Sequence, residues 1–99
     1  MQMLTRLYVG GVKDPHKIPE PVEMLVRELG GATLHVGVGL WMDAAGEFTK
    51  DDTLVIEVLH EQTPETDLAL LRAVKALKVL WGQESILVLD IPITNSNWF

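Results

Sequence analysis

The chain has 99 residues, a formal net charge of −6 and no cysteine. That length holds one hydrophobic core, so residues 1–99 are expected as one domain. The absence of thiols excludes disulfides, thiolate metal sites and a cysteine nucleophile, and an acidic balance with scattered Lys and Arg argues against binding a phosphate backbone.

No run approaches the roughly 18 consecutive apolar residues of a membrane span. The start, Met1-Gln2-Met3-Leu4-Thr5-Arg6, has no charged region leading into an apolar stretch. A cytoplasmic protein without nucleic-acid or membrane partners is therefore the expectation.

In chain order, Leu4 to Val9 reads as a strand closed by Gly10-Gly11, and Lys13-Asp14-Pro15-His16-Lys17 as a loop. Pro19 and Pro21 fit only a first helical turn. Val22, Leu25, Val26 and Leu29 then recur at helical spacing, and Gly30-Gly31 ends that helix. Thr33 to Met42 alternates, with Leu34, Val36, Val38 and Leu40 on one face and His35, Gly37, Gly39 and Trp41 on the other. Asp43-Ala44-Ala45-Gly46 reads as a turn and Thr53 to Glu61 as a third strand. Thr63-Pro64-Glu65 is a helix start, with Thr63 as N-cap and acids at the positive end of the dipole. Leu70, Leu71, Val74, Leu77 and Trp81 form its apolar stripe before Gly82 stops it. Ser85 to Ile93 is the last strand, confined to an edge by Pro92, and residues 92–99 form a tail ending in Trp98-Phe99.

The order strand, helix, strand, strand, helix, strand is the ferredoxin-like split βαβ plan, an α+β sandwich. Right-handed crossovers place both helices on one face of a four-stranded antiparallel sheet of strand order 4-1-3-2. The predicted core is Leu7, Val9, Leu25, Leu29, Val36, Val38, Ile56, Val58, Leu71, Val74, Leu77, Leu87 and Leu89.

The other face of the sheet is predicted to carry Arg6, Tyr8, His35, Trp41, Val55, Glu57, Leu59 and Glu61, with Ile86, Val88 and Asp90 from the last strand. Strands three and four are apolar on both faces, more than a solvated sheet face requires. Such a patch marks an interface or groove. A homo-oligomer, a dimer, is expected, with Val55, Leu59, Ile86, Val88, Trp98 and Phe99 in the contact and Arg6 near Glu57 or Glu61. The alternative is that the tail folds back over the patch.

Chemistry-bearing residues are few. His35 and Glu57 share the open face and are the weak candidates for a proton-transfer pair. His60 falls on the opposite face, which breaks a metal constellation, and no cofactor is expected. Gly37 and Gly39 either open a groove beside His35 and Trp41 or mark a bent or bulged strand, the reading the pattern favours. Tyr8, His35, Trp41 and Gln83 are the candidate ligand-binding set, for a small aromatic or nucleotide-like molecule. Gln83 and Ser85 follow a helix end, where they either fasten helix to strand or join Trp41 and the Asp43–Gly46 turn in a site.

The run Gly39-Leu40-Trp41-Met42-Asp43-Ala44-Ala45-Gly46, with the apolar strand that follows it to Val58, resembles an uncharacterised bacterial and phage family, domain of unknown function 3574. Trp81-Gly82-Gln83-Glu84-Ser85-Ile86-Leu87 is similar to that family's aromatic-Gly-Gln-Glu-Ser-Val-Leu pattern. Leu7-Tyr8-Val9-Gly10 resembles its first strand, and Phe99 its ending. The chain departs from the family in a shorter first helix that lacks the aromatic, in Asp51-Asp52 where a Glu is usual, and in showing no export signal. The resemblance implies the fold and a phage-related setting, and it supplies no activity. Two functions follow from the residues: a non-enzymatic binding or interaction module acting as a homo-oligomer, or a cofactor-independent small-molecule enzyme of the dimeric ferredoxin-like barrel type with a cavity centred on His35.

Overall fold

The computed structural model describes residues 1–83 and 85–99. Its elements are β1 (Gln2–Val9), α1 (Glu20–Leu29), β2 (Thr33–Met42), β3 (Phe48–Glu61), α2 (Pro64–Trp81) and β4 (Leu87–Ile93). The strands form one antiparallel sheet in the order β2-β3-β1-β4, which is the expected order read from the other edge. This is the ferredoxin-like α+β fold.

Strand pairing sets the two faces. Leu7 lies opposite Ile56 on one side and Val88 on the other. That row, with Val9, Leu54 and Val58, meets Val22 and Leu25 of α1 and Ala69, Leu70, Ala73 and Leu77 of α2 in one buried cluster. Both helices therefore cover the same side. Alternate residues of β1 and β3 point to the opposite, open face.

Local chemistry fixes the ends of α2. The Thr63 hydroxyl accepts from the Thr66 amide at 3.1 Å, and the Thr66 hydroxyl accepts from the Thr63 amide at 3.0 Å, a reciprocal capping box with Thr in place of the usual acid. Gly82 closes the helix at φ 61, a conformation that suits glycine. Thr63→Ala should destabilise the fold by ~1 kcal/mol. Urea titration measures it, and an unchanged midpoint would mean that the box contributes nothing.

Several core expectations are corrected. Val36 and Val38 lie on the helix side but are exposed. β3 pairs with β1 only from Leu54 onward, whereas β2 and β3 run on together to Met42 and Phe48. The sheet thus ends in a two-stranded arm beyond the helices, and the molecule reaches 44 Å along its longest axis. Leu71 is also exposed, because Ala69 and Ala73 turn inward and let α2 sit close to the sheet. Leu29 and Val74 are only partly buried against the cluster.

The phase of β4 is the opposite of the expected one. Val88 and Asp90 pair with Leu7 and Thr5 on the helix side, and Ile86 packs against the core. Leu87 and Leu89, expected inside, lie on the open face beside Tyr8 and Arg6 and are exposed. Leu87, Val88, Leu89 and Ile91 are apolar on both phases, so only pairing with β1 chooses between them. Ile86 and Val88 are accordingly not open-face residues.

The tail does not cover the sheet: Trp98 is 90% exposed and Phe99 fully so, while Ser96 hydrogen-bonds to Gln2.

Candidate functional site

The open face carries two polar clusters on an apolar ground. The first is built by the pairing of β1 with β3 and of β3 with β2, which places Arg6 opposite Glu57 and Glu57 opposite Thr33. One Glu57 oxygen accepts from Arg6 Nε at 2.9 Å and Nη2 at 2.6 Å, and the other lies 2.7 Å from His35 Nε2. Both carboxylate oxygens are used. The hydrogen bond from Arg6, and then that from His35, hold the Glu57 carboxyl below the usual carboxylate range. Glu57 first, then the Tyr8 hydroxyl, hold Arg6 in its charged form. Arg6 therefore does lie at Glu57, as expected.

A depressed carboxyl contributes stability that is present above its ordinary titration range and lost as the pH falls through the folded value. The wild type should lose stability below the ordinary carboxylate range more steeply than Glu57→Gln. Guanidinium titrations on the acid side measure this, and parallel curves would remove Glu57 from the account.

The second cluster surrounds Trp41. Its indole N–H donates to Asp51 Oδ1 at 3.1 Å, and the Thr53 hydroxyl donates to the same oxygen at 3.2 Å. Gly39 lies beneath: a Cβ there would sit 2.6 Å from Trp41 Nε1 and 2.5 Å from Asp51 Oδ1. Glycine is needed for this close approach of side chains to the strand. The pairing of β2 with β3 runs without interruption from Thr33 to Met42, so no bulge marks Gly37 or Gly39. Asp51 Oδ2 in turn faces Gly10, and Gln83 Nε2 lies against Gly11 while donating to the Trp81 carbonyl at 3.3 Å. Gln83 thus helps finish α2 and also lines the same end of the sheet. Glu84 lies outside the described residues.

The predicted ligand set is therefore divided. Tyr8 and His35 belong with Arg6 and Glu57, whereas Trp41 and Gln83 belong to the arm's base. His35 and Trp41 are six residues apart on one strand, ~20 Å of backbone at ~3.3 Å per residue. The Asp43–Gly46 turn lies farther out, where Asp43 Oδ1 accepts from the amides of Ala45 and Glu47, both at 2.9 Å. Val55 and Leu59, half-buried, sit between the polar groups and belong to the same open face.

Sequence reasoning missed a third cluster, on the helix side. Thr5 Oγ1 donates to Asp90 Oδ1 at 2.7 Å and lies 2.7 Å from His60 Nε2, whose Nδ1 is 2.9 Å from the Glu61 carbonyl. Thr5 is 1% exposed and His60 6%. A hydroxyl so enclosed cannot meet a substrate, so this cluster holds β1, β3 and β4 in register. Its signal in the sequence was a polar Thr at an inward-facing position of β1. Among the described residues no three His, Asp or Glu side chains gather as metal ligands, and no helix is long and apolar enough to cross a membrane.

No known protein-family profile and no curated protein sequence matches the chain. Solved structures do. A phage SAM lyase in complex with S-methyl-5′-thioadenosine is 16% identical, with 91% of this chain and 80% of that one covered at a TM-score of 0.66. The divalent cation tolerance protein CutA1 from Thermus thermophilus is 14% identical, with 98% and 88% covered at 0.61. The B. subtilis GlnK–ATP complex is 23% identical, with 91% and 82% covered at 0.51. At these identities the likeness is one of fold: this chain has the architecture that those proteins share.

Proposed function

We propose that this protein is a cytoplasmic, homo-oligomeric binding module that takes a small adenosine-type molecule on the open face of its sheet. The observation that carries the reading is the Arg6–Glu57–His35 cluster, a set of directional polar groups bordered on the open face by Val55, Leu59, Leu87 and Leu89. Apolar surface with a few placed polar groups is the composition of a small-molecule site. A sheet face left uncovered by the helices supports assembly, since a second copy laid over it encloses the ligand. Two similar folds, the lyase with S-methyl-5′-thioadenosine and GlnK with ATP, are described with adenosine compounds bound, which suggests the ligand class. The resemblance to domain of unknown function 3574 adds no activity to this reading.

The experiment is a thermal-unfolding titration with S-methyl-5′-thioadenosine, S-adenosylmethionine and ATP. A ligand at a hundredfold excess over its Kd stabilises by ~2.7 kcal/mol, a shift of roughly 10–20 °C in a domain of this size. The shift should be lost in Glu57→Gln. Absence of a shift with all three compounds would overturn the reading.

A second reading is a cofactor-independent enzyme acting on a sulfonium nucleoside. It is favoured by Tyr8, whose ring lies on the open face, since a sulfonium cation is attracted to an aromatic face. Incubation with S-adenosylmethionine and chromatography for released S-methyl-5′-thioadenosine decides it: turnover that Glu57→Gln abolishes establishes the enzyme, and unchanged substrate rejects it.

A further inference from the structure

The arm formed by the ends of β2 and β3 carries a second surface, on the side away from the candidate site. Val36, Val38, Leu40 and Met42 share its helix-side face, and Phe48 stands opposite Met42. Val38 is 62% exposed, Leu40 67% and Phe48 74%. Together these five exposed side chains form one contiguous apolar stripe, and a contiguous exposed patch of this kind marks an interface.

The edge of the sheet beside this stripe is equally bare. β2 is an outer strand, and its sequence Thr-Leu-His-Val-Gly-Val-Gly-Leu-Trp-Met contains no Lys, Arg, Asp, Glu or Pro. Edge strands of monomers are normally blunted by such residues. The other edge strand, β4, has them in Asp90 and Pro92.

The charges flanking the stripe say what fits it. Lys50 lies opposite Leu40 and Asp52 opposite Val38, so both border the stripe on the same face, two residues apart. Neither forms an ion pair among the described residues. A second arm laid antiparallel across the first, about a two-fold axis near residue 51, brings each Lys50 to the other copy's Asp52. A surface complementary to itself in this way is the mark of an isologous contact.

We propose that the helix-side stripe of the arm is a two-fold dimerisation surface, occupied by the same stripe of a second copy of this chain. The inference deepens the homo-oligomeric reading above and rests on it only for the existence of an assembly. Its surface is separate from the open face.

Sedimentation velocity across micromolar concentrations tests it, with circular dichroism as the check on folding. Val38 is outside the core, so Val38→Lys should fold and should weaken dimerisation by more than about tenfold. Lys50→Glu should weaken it by about tenfold through two symmetry-related repulsions, and the swap Lys50→Glu with Asp52→Lys should restore it. A monomeric wild type, a folded Val38→Lys that still dimerises, or a charge swap that fails to restore would each overturn the proposal. Leu59→Glu, on the open face, separates the two readings. If it alone breaks the assembly, the arm proposal fails and the open-face contact stands. If Val38→Lys alone breaks it, the reverse holds. Ligand binding is judged by its own titration.

Discussion

Ile56→Ala is expected to destabilise the protein by about 2–5 kcal/mol, the range for truncating a large buried aliphatic. Ile56 is fully buried at the centre of β3, opposite Leu7 on one side and Leu34 on the other. It sits in the cluster formed with Val22 and Leu25 of α1 and Leu77 of α2. Neighbours on four other elements cannot close together around a missing side chain without moving the sheet, so much of the cavity should persist. Against a total of about 5–15 kcal/mol for a domain of this kind, the loss is large. The contrasting variant is Val38→Ala, on the arm, which should stay within about 0.5 kcal/mol in the monomer because its side chain is already in water. Urea unfolding measures both. Equal costs at the two positions would contradict the division of β2 and β3 into a covered body and a bare arm.

Thr5→Val should cost about 1–3 kcal/mol despite its nearly identical shape. The hydroxyl links His60 Nε2 and Asp90 Oδ1, each 2.7 Å away. Without it the His60 nitrogen is left without that partner on a largely buried side chain. Thr5→Ser keeps the hydroxyl and removes only a methyl group, so it should cost about 1 kcal/mol or less. Denaturant titration of the two variants gives the comparison. A Thr5→Val protein as stable as the wild type would mean that the cluster contributes nothing to holding β1, β3 and β4 together.

The Glu57 carboxylate belongs both to the fold and to the proposed site. Arg6 and His35 come from strands on either side of β3 and converge on one carboxylate. Such convergence aligns the strands, and it also leaves a fixed ion pair on the face that a ligand or second copy would meet. The acid-side stability comparison with Glu57→Gln and the ligand titration with the same variant report on these two roles separately.

Local signals determined much of this protein. Thr63, Pro64 and Gly82 mark the ends of α2 because capping and proline geometry act within a few residues of themselves. Alternation placed His35 and Glu57 on one face and His60 on the other, because successive side chains of a strand point opposite ways. The order of elements implied the fold, since few connections between them are sterically simple. Other features were decided only by tertiary structure. β4 is apolar at Leu87, Val88, Leu89 and Ile91, so its phase waited for pairing with β1. Val36 and Val38 have the pattern of a core strand, yet they are bare, because burial depends on how far the helices reach. The separation of Trp41 from His35, and the meeting of Thr5, His60 and Asp90, follow from register between strands distant in sequence. A residue's own chemistry carries no record of its partner across a sheet, and register is set by the sum of packing over whole strands.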